Sequence, residues 1–105
     1  MKVSLCRKEN MIEKKIKDEY LVDVIQGLKT FEIRKEDDIR YEPGMKLLLR
    51  GQQHSAIVKI LYVLRDCPQY GLEDGYCIFS LAVERAFSNG SQYDKYISKN
   101  GVYQN

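Results

Sequence analysis

The run SAIVKILYVLR, residues 55–65, sets Ala56, Val58, Ile60, Tyr62 and Leu64 at every second position. Such period-two spacing puts all five on one face of a β-strand and scatters them around a helix. Two further segments have the same character. MKLLLRG (45–51) and YCIFSLAV (76–83) are short, rich in β-forming residues, and bounded by turn signals such as Pro43-Gly44. In KTFEIR (29–34), Phe31 and Ile33 alternate with Thr30, Glu32 and Arg34. The alternation predicts a half-buried strand with the two apolar side chains inward and the polar set outward. The expected core comprises Phe31, Ile33, Val58, Ile60, Leu64 and either Ile78 or Phe79.

One helix is predicted, over about residues 18–26. Asp18 suits its N-cap, Leu21, Val24 and Ile25 share a face, and Gly27 suits the left-handed residue that ends it. Residues 12–17, IEKKIK, read as a polar edge strand or as the approach to that helix. Four or five strands joined mostly by short turns predict an α+β fold: a small mixed, mostly antiparallel barrel or curled sheet with one early short helix. After Val83 the composition turns polar, with Asn-Gly at 89–90 and 100–101. Residues 1–84 are therefore expected to form the domain and 85–105 a loosely attached C-terminal tail, with residues 84–88 either continuing the sheet or turning helical.

At 105 residues with 44% apolar side chains, the chain can build one core and not two. No run approaches a membrane span, and MKVSLCRKEN has no apolar signal region, so a cytoplasmic location is expected. Cys6, Cys67 and Cys77 lack disulfide or zinc spacing and read as reduced thiols, Cys77 in the core. No metal or cofactor motif is present, so neither is expected. The net charge of +2 is small but uneven. Residues 7–17 hold five basic side chains against two acidic ones, and residues 43–65 hold Lys46, Arg50, Lys59 and Arg65 with no acid. Together they outline a modest footprint for phosphates.

Within 27–34, Gly27, Lys29, Thr30, Glu32 and Arg34 bring donors and an acceptor into one short stretch. That mixture suits a base edge or a nucleotide, with Lys29 and Arg34 on anionic oxygens and Glu32 on an amino group. Lys46 and Arg50 are candidates for backbone contacts, and Tyr41 and Tyr70, in loops beside the expected cleft, for stacking. A surface ion pair on a sheet face is the plainer reading of Glu32 and Arg34. His54, the only histidine, reads as a solvated turn residue.

GLKTFEIR resembles the G-x-K-x-x-E-x-R signature of the ASCH family of PUA-like barrels, in particular a small bacterial and phage branch catalogued as a domain of unknown function. The order of elements over residues 12–83 is also similar, including the GL-x-x-G-Y loop at Gly71–Tyr76. The resemblance implies a PUA-like β-barrel whose cleft beside the motif strand binds RNA or a nucleoside-like small molecule. Within that family, one group consists of metal-independent amidohydrolases acting on acetylated cytidine. For such an enzyme Lys29 and Glu32 would be the catalytic residues, but that group has threonine where Glu32 stands, and its distant glutamate has no counterpart here. The turn before the Leu-rich strand has Gly44-Met45 in place of the family's usual Gly-Asp. A histidine near the first strand is missing as well. The function expected is RNA or nucleoside binding; the alternatives are an amidohydrolase and a phage or accessory protein-interaction module. Oligomeric state is not legible.

Overall fold

Two long antiparallel strands, rather than a ring of equal ones, organise the chain. The computed structural model describes residues 11–100 and 102–104. In chain order these form β1 (Met11–Lys15), α1 (Asp18–Ile25), β2 (Phe31–Lys35), β3 (Lys46–Arg50), β4 (His54–Arg65), β5 (Tyr76–Ser88), α2 (Gln92–Asn100) and β6 (Val102–Gln104), with a single 3-10 turn at Pro68–Tyr70. Cys6, Arg7, Lys8 and Gly101 of the second Asn-Gly step lie outside the described residues. The sheet order is β2-β5-β4-β3-β1-β6. β2, β5, β4 and β3 pair antiparallel, whereas β3–β1 and β1–β6 are parallel. Residues 12–17 thus supply an interior strand rather than an edge. None of the described helices is long and apolar enough to cross a membrane.

Two bulges curl this sheet into a half-barrel. Leu61 is an extra residue in β4 between the pairs Ile60–Leu81 and Tyr62–Ser80, and Glu84 is extra in β5 between Val58–Val83 and Ile57–Arg85. Each bulge bends its strand, sharpens the twist and reverses which face later side chains take. Ala56, Val58 and Ile60 point inward, but beyond Leu61 it is Val63 that reaches the core, while Tyr62 and Leu64 stand exposed. The expected unbroken face of β4 therefore stops at Ile60, and Leu64 is not a core residue.

The concave face packs Leu21 and Val24 of α1 on Leu47, Leu49, Val58, Ile60, Cys77, Phe79 and Leu81. Tyr41 closes this core, its ring 5.1 Å from that of Phe79. Leu48 points the other way, into a smaller cluster with Met11, Ile57 and Ile97 of α2. Three successive leucines are all buried because both faces of β3 are covered. The N-cap of α1 falls at Lys17, one residue before the expected Asp18. Asp18 instead accepts the Gln52 N–H at 2.8 Å. A Cβ on Gly51 would strike that same carboxylate and Leu21, so this close approach needs glycine.

Residues expected as a loose polar tail have a definite structure here. Residues 84–88 continue β5, Asn89-Gly90 turns the chain, and Asp94 and Ile97 of α2 are buried. Ser91 caps α2 by accepting the Asp94 N–H at 3.2 Å, and the Asp94 carboxylate accepts the Gly90 N–H at 2.8 Å. Arg50 then grips Asp94 through both terminal nitrogens, at 2.9 and 3.2 Å, and also donates to Glu13 and Asn89. One guanidinium joins β3, β1, the turn and α2.

The Arg50 hydrogen bonds hold the Asp94 carboxyl below its ordinary range, and Arg65 does the same to Glu36. A carboxylate with a depressed folded-state value stabilises the fold above its unfolded value, about 3.9 for Asp, and loses that contribution as pH falls through the folded one. The thermal midpoint should therefore drop as pH falls below about 4. Asp94→Asn should cost about 2 kcal/mol at pH 7 and flatten that acid limb. Thermal unfolding followed by circular dichroism from pH 7 to pH 2 checks both.

Candidate functional site

The motif begins where α1 stops. Gly27 adopts φ +81° and its N–H reaches the Val24 carbonyl, while Leu28 and Lys29 N–H both donate to the Asp23 carbonyl. This is the paired hydrogen-bonding of a Schellman turn, which aims the chain from helix into strand. Lys29 is therefore placed by the helix end, and Glu32 and Arg34 by β2.

Pairing with β5 decides which way β2 faces. Glu32 lies opposite Phe79 and Arg34 opposite Cys77, both core residues, so the two charged side chains point into the concave face. Phe31 and Ile33 lie outward, 44% and 51% exposed. This reverses the expected orientation of the strand. An inward carboxylate is tolerable only when paired. Glu32, 5% exposed, accepts from Lys29 Nζ at 2.8 Å on one oxygen and from Arg34 Nε at 3.2 Å on the other. Lys29 also donates to the Phe31 carbonyl at 2.7 Å. Its ammonium sits 4.9 Å from the Phe31 ring and 5.7 Å from that of Tyr20.

Arg34 reaches further. Its Nη2 donates to the Lys15 carbonyl at 2.9 Å, joining β2 at one edge of the sheet to the end of β1. Lys14 on β1 pairs with Asp38 beyond β2 at 2.7 Å. The gap of the half-barrel is thus spanned by side chains rather than by a backbone ladder.

Gly27, Lys29, Glu32 and Arg34 are assembled at one place, while Thr30 is exposed at the start of the strand. The other candidates lie elsewhere. Lys46 and Arg50 point to the convex side with Leu48; Lys46 pairs with Glu84 at 3.2 Å, and Arg50 is held in the clamp on α2. Tyr41 is 1% exposed, so its ring is not open to a base. Tyr70 is exposed on the 3-10 turn, and His54 is the exposed first residue of β4. Among the described residues no group of His, Cys, Asp and Glu is placed to hold a metal.

Two features were not anticipated. Tyr20 contributes a ring at Lys29 from the preceding helix, where its sequence position shows only an exposed helical residue. Glu36 and Arg65 form a bidentate pair at 2.8 Å per contact; Arg65 also donates to the Tyr41 carbonyl at 2.6 Å, and Glu36 accepts the Tyr41 N–H at 2.9 Å. The Leu61 bulge turns Arg65 inward, and no periodicity in β4 would reveal it. The pair borders a cleft of about 450 Å³ with Asp37, Arg40 and Asp66. Burial pushes the Tyr41 hydroxyl to about 12 and the Cys77 thiol to about 11, so neither serves as a nucleophile near neutrality.

No curated protein matches the chain. The family model of a domain of unknown function, DUF3850, matches residues 12–81, from β1 to the inward-facing part of β5 and with the whole of the motif inside it. The chain belongs to this DUF3850 family.

Proposed function

We propose that the chain binds RNA or a nucleoside-like ligand on its concave face, as a PUA-like half-barrel of the ASCH type, in the cytoplasm. One observation carries this reading. A nearly buried carboxylate is held between a lysine and an arginine on the inner face of a strand whose own aromatic flanks the lysine. Lys29 and Arg34 retain N–H donors for phosphate or carbonyl oxygens. Glu32 can accept from an exocyclic amino group when the ligand displaces part of its present pairing. The half-exposed ring of Tyr20 offers stacking surface beside Lys29, in place of Tyr41. Lys46 and Arg50, on the opposite side of the sheet, take no part.

A hydrolase is the less favoured alternative. Both oxygens of Glu32 are engaged by cations, which leaves neither free to act as a base in the present arrangement. Amide cleavage without metal needs a nucleophile and a base within hydrogen-bonding reach.

Titration with single-stranded RNA, duplex RNA and a nucleoside panel at two salt concentrations tests the binding reading. Single-stranded RNA affinity should fall with salt at a log–log slope of about 0.7 per phosphate neutralised. Arg34→Ala should weaken binding by about 1–3 kcal/mol, and Lys46→Ala should leave it unchanged. Loss of all RNA and nucleoside binding at low salt in the folded wild-type protein would favour a protein partner instead.

Incubation with acetylated cytidine and other acylated nucleosides separates binder from enzyme. Saturable binding without turnover is expected. Turnover that disappears in Glu32→Gln or Lys29→Ala, with the circular dichroism spectrum retained, would make the chain an amidohydrolase.

A further inference from the structure

The step Asn89-Gly90 carries the chain from β5 into α2. In a flexible chain this dipeptide is chemically labile, because glycine has no side chain to keep its backbone nitrogen away from the asparagine amide. The Gly90 nitrogen forms a bond to Cγ of Asn89, the Cγ–Nδ2 bond breaks, and the backbone amide proton leaves with Nδ2 as ammonia. Water then opens the cyclic imide at either carbonyl, leaving aspartate or isoaspartate at position 89.

The groups that must move in this step are all held. Nδ2 of Asn89 donates to the Gly51 carbonyl at 3.0 Å, and Oδ1 accepts from Arg50 Nη1 at 2.9 Å and from Ser55 Oγ. The Asn89 N–H donates to the Gln53 carbonyl at 2.9 Å, so the backbone is fixed on the same side. The attacking nitrogen is occupied from the other side: the Gly90 N–H donates to Asp94 Oδ2 at 2.8 Å. Asp94 also grips Arg50, the source of one donor to Oδ1. Both Ser55 and Asp94 are buried. The side chain is thus pinned by β3 and β4, and the nitrogen that would attack it by α2.

We propose that Asn89 is a modification site kept closed by α2: it cyclises and deamidates when the helix leaves the sheet, and the product hinders the helix from returning. The second half follows from the same contacts. Aspartate at position 89 sets an oxygen where Nδ2 now donates, against the Gly51 carbonyl oxygen. It also brings a second carboxylate beside Asp94, on a guanidinium that Glu13 already shares. An unmet polar contact and like charges both oppose docking. Isoaspartate lengthens the backbone of the turn by one carbon and carries the Gly90 N–H away from Asp94. A transient opening of α2 is thereby converted into a lasting one.

The full chain, incubated in mildly alkaline buffer both folded and in urea, tests the closure. Trypsin releases Asn89 within residues 86–95 and the second Asn-Gly step within residues 100–105, so mass spectrometry follows each separately. Deamidation at Asn89 should be at least about tenfold slower in the folded chain than in urea, because a single hydrogen bond to a charged group is worth that factor. Ser91→Ala removes the cap of α2 and leaves every hydrogen bond of Asn89 in place. It should raise the folded-state rate about fivefold, as a lost cap makes the opened helix that much more populated, and leave the rate in urea unchanged. Asn89→Asp, which reproduces one product, should unfold at a lower temperature than the wild type. Equal rates at Asn89 in folded and urea-unfolded wild-type protein overturn the proposal. So does a Ser91→Ala chain, folded by circular dichroism, that deamidates at the wild-type rate, or an Asn89→Asp chain that unfolds no lower than the wild type.

Discussion

The pairing of Glu32 with Lys29 and Arg34 is the constraint on which the motif region depends. An ionised carboxylate taken from water costs several kcal/mol unless its charge is met and its lone pairs are filled. Here both oxygens are filled by cations from opposite directions: one set by the end of α1, the other by the far half of β2. Because that requirement is met inside, β2 can turn its polar side to the core and its phenylalanine and isoleucine to the exterior. The same arginine continues to the carbonyl of Lys15, so the charge that neutralises the site also holds the two ends of the curled sheet near one another.

Two other arginines work in the same manner. Arg65 binds Glu36 and the Tyr41 carbonyl, tying the end of β4 to the long connection between β2 and β3. Arg50 binds Glu13 and Asp94, tying α2 to the parallel half of the sheet. In each case a planar fork spans two or three elements. A half-barrel leaves such seams where a closed barrel would have a ladder of backbone hydrogen bonds.

Elements whose burial follows from their own composition were legible in the sequence. The early helix, the left-handed Gly27, the strands at 46–50 and 54–65, and Val58, Ile60 and Phe79 in the core could all be read from periodicity and turn chemistry. What failed was the choice of face. In β2 the rule that apolar residues go inside gave the wrong answer, because the charges satisfied one another. In β4 a single extra residue, Leu61, exchanged Tyr62 and Leu64 for Val63 and Arg65. The clustering of Lys29, Glu32 and Arg34 was legible because it is local. The separation of Lys46 and Arg50 from them was not, since it depends on which side of the sheet β3 presents them. The order of α2 likewise rests on Arg50, more than forty residues away from Asp94 in sequence.

The Schellman turn has a consequence for how the region tolerates change. Lys29 is located by where the helix stops, whereas Glu32 is located by the strand register, and the two meet within a hydrogen-bond length. Gly27 to Arg34 therefore acts as a ruler between two rigid parts. A residue inserted or removed within it would reverse the faces of β2 or carry the ammonium away from its carboxylate. The connection at residues 36–45 is held at separate points instead: by Glu36 and Asp38, by Ile39, Tyr41 and Met45 against the core, and by Gly44 and Met45 on the backbone of Ile60. Helix, turn and strand from Asp18 to Arg34 form the indivisible piece of this chain, able to move between scaffolds only whole.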